Sequence, residues 1–418
     1  MSRARNSLGL VVTAGLVIGL VACSAPVPVP LPTPTPVETV DPTGDGVLRI
    51  GTIFPTSGTF AFLAPAQAAG VATAVREINE AGGVAGVPVE LIARDSGDAS
   101  GQVAEASFAD LVAQGVDAII GPTSSVIAQR LAPLARQSKV PIVSPAATLP
   151  QLTDVRDAGY LSRTIPAYGL QGLALAQELA GKKVGLLYVD DPLGRSLREN
   201  LEAGLESEGG ELVVAQGVGA STTDLAPAIT AVKDAAPDVL VIASDYNAFD
   251  LTKGLIAQSL AAGYGAGKLW LTTQNTGDYN QAFPPGTLAG VNGIIDGVEP
   301  DDAFKARLKQ TDPNLGTFRY SAEAYDATVL AALAAIVAHD DGGRSIAQTL
   351  RDVSRGGIKC TSFVECLDVL KTQSDIDYDG VSGSVNLTAE GDVESGYYGV
   401  YAYDGDNKFV LQRGIVVG

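Results

Sequence analysis

Apolar and polar positions switch between two periods along most of this chain. Short apolar runs read as strands buried on both faces, and stretches with apolar residues every three or four positions read as amphipathic helices. The pattern predicts a strand over 48–54, a helix over 64–80 closed by Gly82 and Gly83, and a strand over 87–93. A helix over 99–114, a strand over 116–120, a helix over 126–137 and a strand over 140–143 follow. The rhythm then restarts with strands over 182–189, 212–216, 239–243 and 268–272, and helices over 194–204, 225–235 and 248–262. Strands alternating with helices demand parallel sheets covered on both faces. Two such runs predict two sheets of similar construction. The pattern breaks at Pro166 and Pro300, which places joins near 162–168 and 297–302. An alanine-rich helix over 322–338 follows the second join. The tail, 383–417, reads as strands with a turn at Asp404-Gly405-Asp406-Asn407.

The first 46 residues break this rhythm. Arg3 and Arg5 precede a short apolar run that ends in Leu20-Val21-Ala22-Cys23. A basic start, an apolar core too short to span a bilayer and a small-residue cleavage site make an export signal. The sequence resembles the bacterial lipobox, in which Cys23 would be lipidated and become the mature N-terminus. Pro26, Pro28, Pro30, Pro32, Pro34 and Pro36 then make 23–46 an extended, semi-rigid spacer. The expected product is tethered on the extracytoplasmic face of the membrane. Cys360 and Cys366 remain. In an exported chain an even pair reads as a disulfide, with two free thiols or a metal site as the alternatives.

The chain has 418 residues, enough for two domains, and 46% hydrophobic residues, enough for ample core. Its formal charge of −19, without basic runs, makes nucleic acid and anionic lipid poor partners. His339 is the single histidine and follows a helix, where a cation suits the dipole, so it reads as a surface residue. Asp375-x-Asp377-x-Asp379-Gly380 opens like a calcium loop, but Asn386 stands where a bidentate Glu is needed. Neither metal nor cofactor is expected.

Ligands of open α/β sheets sit beyond the carboxyl ends of the strands. The segment from Ile119 to Ser125 leaves a strand and enters a helix, where free N–H groups and the helix dipole suit an anion. Ser124 and Ser125 can add hydroxyl donors there, or simply cap the helix. A neighbouring strand ends in Ser144-Pro145-Ala146-Ala147-Thr148. Two such ends, side by side, suit a small acid or zwitterion.

These segments, with 50–58, Glu77-Ile78-Asn79-Glu80-Ala81-Gly82-Gly83, Asp95-Ser96, Tyr325-Asp326-Ala327 and 377–383, resemble the Leu/Ile/Val-binding family of type I periplasmic binding proteins, the solute receptors of ABC importers. The resemblance implies an α/β fold of two doubly wound parallel-sheet lobes joined by a multi-strand hinge. It divides the chain into 47–165 with 299–380, and 166–298 with 381–418. It implies that the position of Ser125 bonds a ligand carboxylate, and that Ala146 and Thr148 contact the same molecule. In the second lobe it points to Asp245 and to the aromatic Tyr246. Gln274 stands where the family commonly has a Glu for the ligand ammonium. Either Asp245 supplies that charge or the ligand lacks an α-ammonium. Tyr325, with Asp326, is either a cleft wall that meets the ligand or a hinge or core pair. The expected partners are a small amino acid, amide or organic acid and the permease subunits of an importer. The expected protein is not an enzyme. Two rival readings are a sensing module on the same fold and a hydrolase using paired carboxylates.

Overall fold

The computed structural model describes residues 43–245 and 248–418. The expected signal, Cys23 and most of the spacer lie outside the described residues, as does Tyr246.

The first lobe opens with β1 (Arg49–Phe54), α1 (Ala64–Glu80), β2 (Glu90–Asp95), α2 (Val103–Ala113), β3 (Ala118–Ile120), α3 (Ser125–Ser138), β4 (Ile142–Ser144) and β5 (Leu161–Arg163). Its five strands pair in the order β2-β1-β3-β4-β5, all parallel. The chain then crosses to the second lobe. There α4 (Leu170–Glu178), β6 (Lys183–Val189), α5 (Pro192–Ser207), β7 (Glu211–Val218), α6 (Ala226–Ala235), β8 (Val239–Ala243), α7 (Phe249–Ala261), β9 (Leu269–Leu271) and β10 (Asn292–Asp296) build the same pattern. The parallel order β7-β6-β8-β9-β10 repeats that of the first lobe.

A second crossing after β10 returns the chain to the first lobe. It forms α8 (Asp302–Thr311), α9 (Ser321–Ala338), α10 (Gly343–Thr349), β11 (Ile358–Cys360), α11 (Phe363–Leu370), β12 (Ile376–Gly380) and β13 (Gly383–Ser384). A third crossing leads to β14 (Gly396–Tyr403) and β15 (Phe409–Val417), which extend the second sheet antiparallel. The segment 381–418, which the sequence groups with the second lobe, divides at the start of β14. Val385, Leu387 and Val393 pack in the same core as α1 and α9, because their apolar side chains complete that layer. At the other end, the Asp340 and Asp341 carboxylates accept the backbone N–H groups of Thr43, Gly44 and Gly46. This holds the end of the expected spacer against the first lobe.

Local chemistry sets the helix ends. Asp191 and Asp301 cap α5 and α8 by accepting the N–H of the residue three ahead. Ser362 caps α11 in the same way by accepting the Glu365 N–H, and the Glu365 carboxylate reaches back to accept from Thr361. Helix α9 is apolar on nearly all sides, long enough to cross a membrane, and buried in the first lobe. It lies tight against α1, where a Cβ on Gly70 would strike the Ser321 carbonyl. The chain joins Cys360 to Cys366, as the even pair suggested, and the bridge ties β11 to α11. His339 is exposed just beyond α9. Asp377 and Asp379 face Lys359 in ion pairs.

Candidate ligand-binding site

Both lobes have a strand order that reverses direction at one place, between β1 and β3 and between β6 and β8. Loops diverge at such a switch point and leave a crevice beyond the strand ends. A cavity of about 90 Å³ lies there. The first lobe contributes Phe60, Leu63, Thr123, Ser125, Ala146 and Thr148, from the loops after β1, β3 and β4. Thr273 and Gln274 enter from the end of β9, and Arg319 and Tyr320 from the turn before α9.

The β3–α3 turn can form because Gly121 adopts φ +121°, where a Cβ would meet the Ile53 carbonyl at 2.5 Å. Ser124 is the N-cap residue of α3, but its side chain makes no capping hydrogen bond. The capping alternative therefore does not describe Ser124. Ser125 does something else. Its Oγ accepts the N–H of Thr148 at 2.9 Å and of Leu149 at 3.1 Å. A hydroxyl has two acceptor lone pairs and one proton. Both lone pairs are engaged, so Ser125 keeps only its proton, as a donor at the cavity wall. Nearby, Ser144 donates to the Pro122 carbonyl at 2.7 Å and accepts from Ala147 N–H at 3.0 Å. Thr123 donates to Gln67 at 2.9 Å. Ser144 likewise accepts from this loop but does not line the cavity, so Ser125 is the cavity-lining hydroxyl whose acceptor capacity is spent on the loop that carries Thr148.

The second lobe's rim is cross-linked inward. Asn275, fully buried, accepts from Thr272 N–H and donates to the Ile242 carbonyl and Ser244 Oγ. Gln171 accepts from Thr273 N–H at 3.3 Å, and its amide donates to Thr273 Oγ1. Tyr168 donates to Thr272 Oγ1. Gln274, half-buried between these groups, reaches both the cavity and a narrow crevice beside Asp191 and Asp245. Gln274 and Asp245 are therefore brought together, although Asp245 does not line the main cavity.

Arg319 and Tyr320 also border a wider groove of about 470 Å³ beside β10 and β15. Tyr320 donates to Asp296 at 3.0 Å, and Arg319 lies 3.7 Å from the same carboxylate with its guanidinium over the Tyr320 ring. Burial pushes the Asp296 carboxyl above its usual range, against the Arg319 charge. None of the described residues lining the main cavity is Asp or Glu.

Tyr325 is placed elsewhere. Its hydroxyl donates to Glu77 at 2.7 Å, its ring meets Phe304 edge-on, and it packs in the layer between α1, α8 and α9. Asp326 accepts from Tyr378, Val381 N–H and Ser382 and fixes the turn after β12. Of the two readings of this pair, the structure realises the core pair, because the helix turns these positions toward neighbouring elements. Sequence reasoning passed over Thr273, Arg319 and Tyr320. Arg319 and Tyr320 immediately precede a helix, and that helix start was their only local signal.

Comparison with known proteins gives a consistent picture. The chain is 27% identical over 365 residues to the chemotactic signal transduction system substrate-binding protein BasB of Halobacterium salinarum, covering 84% of this chain and 86% of that one. An ABC transporter substrate-binding protein from Desulfitobacterium hafniense, solved with Leu, superposes with a TM-score of 0.66 at 23% identity over 88% of this chain and all of that one. A solute-binding protein of an R. palustris ABC transporter, solved with 4-hydroxybenzoate, superposes at 0.64 and 21% identity over 88% of this chain and 96% of that one. The paired doubly wound lobes are thus the type I periplasmic binding fold. The periplasmic binding protein family matches residues 47–359, a span that holds both parallel sheets and the cavity between them, and the chain belongs to that family.

Proposed function

We propose that this chain is an extracytoplasmic solute-binding lipoprotein that captures a small carboxylate-bearing solute between its lobes for an ABC importer. The observation that carries the reading is the Ser125 hydroxyl, whose engaged lone pairs leave a proton to donate into the cavity. An anionic oxygen is the strongest acceptor for such a donor. Ala146 and Thr148 flank it, and the rings of Phe60 and Tyr320 supply an apolar wall. Gln274, with Asp245 beside it, faces the far end of the solute. A relative solved with Leu and another solved with 4-hydroxybenzoate bracket the class: an amino acid or an aromatic acid. Cys23 carries the lipid, and the proline-rich spacer lets the lobes reach a permease. Closure follows if the solute favours the closed state.

The test is a thermal-shift screen of the chain from Ser24 onward against L-leucine, L-isoleucine, L-glutamine, benzoate and 4-hydroxybenzoate. A solute that binds only the native state raises the melting temperature. At least one acid should do so without being consumed. No shift with any acid, or steady product formation, sinks the reading. In cells, Cys23→Ser should move the protein from membranes to the soluble fraction, and its persistence on membranes would remove the anchor. A second reading, presentation of the solute to a chemosensory receptor, is favoured by the similarity to BasB. Deletion of the candidate permease separates the two: uptake is lost in the first case and chemotaxis survives in the second.

A further inference from the structure

We infer that Arg163 and Asp392 are positioning residues for the solute carboxylate, setting the direction of the Ser125 hydroxyl through the loop that carries Thr148. The inference rests on the carboxylate reading of Ser125. Arg163 ends β5, its side chain is 3% exposed, and it does not line the cavity. Its Nε donates to Asp392 Oδ1 at 2.6 Å, and Nη2 donates to Thr153 Oγ1 at 2.9 Å. Thr153 in turn donates to Asp392 Oδ2 at 2.6 Å. Nη1 reaches the carbonyls of Ala147 at 3.2 Å and Leu149 at 3.0 Å.

The peptide between Ala147 and Thr148 is therefore held from both ends. Its carbonyl meets Arg163 and its N–H meets Ser125. A guanidinium on the carbonyl polarises the peptide, strengthens the N–H as a donor and so strengthens the hydroxyl that accepts it. The same contacts fix the orientation of that hydroxyl. The geometry needs a planar fork; a lysine ammonium cannot match four acceptors spread around one plane.

The clamp also touches the hinge. Arg163 stands at the start of the first crossing, and its own N–H donates to the Gly391 carbonyl at 2.9 Å. Asp392 lies in the segment leading to the third crossing. Tyr168, within the first crossing, donates its N–H to the Thr148 carbonyl at 2.8 Å. The carboxylate loop is thus tied to two of the three chain segments that join the lobes. A buried ion pair is a poor route to stability, since desolvation offsets much of its attraction. A role in holding this loop accounts for its placement.

The experiment is amide hydrogen exchange of the solute-free protein, comparing the wild type with Asp392→Asn, Arg163→Lys and Arg163→Met. Exchange at Thr148 and Leu149 should quicken by ~10-fold or more in Asp392→Asn and Arg163→Met, less in Arg163→Lys, and stay unchanged at Ile119 and Ile120 in β3. Unchanged exchange at Thr148 and Leu149 in Asp392→Asn overturns the inference. If Arg163→Met fails to fold, Asp392→Asn and Arg163→Lys decide alone. Binding of L-leucine and 4-hydroxybenzoate by calorimetry adds a second readout. Asp392→Asn should weaken binding in the wild type and add nothing in a Ser125→Ala background; additive losses overturn the route through Ser125. If neither probe binds the wild type, the exchange data still decide the positioning role, and the solute reading stands or falls on the full thermal-shift screen.

Discussion

The two rims of the cleft are wired differently. In the first lobe, hydrogen bonds converge on Ser125 and leave one donor for an incoming molecule. In the second, Asn275, Thr272, Thr273, Ser244 and Gln171 satisfy one another, and the neutral amide of Gln274 is left at the surface of the cleft. The first rim concentrates its hydrogen bonds on one hydroxyl that lines the cavity. The second is built to hold its own strand ends together and to present an adaptable side chain. On the proposed reading, recognition of the carboxylate falls to the first lobe and discrimination among its bearers to the second. A solute must bridge both before closure gains from both.

That contrast can be broken most severely from the second rim. Asn275→Ala strands the Thr272 N–H and the Ile242 carbonyl in a buried site, and unfolding by denaturant should show a loss of about 3 kcal/mol. A loss within error would mean the second rim is not held this way. Ser125→Ala comes next. It removes a donor to a charged group and should weaken binding by about 2 kcal/mol in calorimetry, with much less effect on folding. Equal affinity would take Ser125 out of the site.

A pH-dependent effect probes the hinge between the rims. Glu323 accepts the Val298 N–H of the second crossing, and its backbone carbonyl accepts the Thr164 hydroxyl of the first. Burial raises its carboxyl to about 8 from an ordinary value of 4.5, with Asp326 and Asp296 pushing the same way. The native state then keeps a proton that the unfolded chain releases. The resulting stability is complete below pH 4.5 and is lost as pH rises toward about 8. Glu323→Gln should flatten this part of the stability curve. The difference between the two curves isolates Glu323 from Asp117, which burial raises to about 7. Identical slopes would show that Glu323 is already ionised in the native protein.

Much of the architecture could be read from local pattern. The strands β1, β3, β6, β8 and β9 and the helices between them carry their own periodicity, and a parallel order follows from alternation alone. The first-lobe wall of the cavity was legible for a related reason. Ser125, Ala146 and Thr148 sit at the ends of buried strands, where backbone geometry dictates that a ligand can approach. The short strand β5 and the helix α4 escaped because Pro166 and the glycines around them interrupt the period that would have marked them.

Sequence alone could settle what depends on neighbours along the chain: the βα rhythm, the closely spaced cysteine pair and the small polar residues at strand ends. The folded structure decided what depends on residues far apart. It turned Tyr325 toward Glu77, 248 positions away. It joined Arg163 to Asp392 across 229 positions. It gave the proton of Ser125 a direction by spending its lone pairs on a loop from another strand. Side-chain hydrogen bonds of this kind carry no periodic signature, because their partners meet only after the lobes have packed.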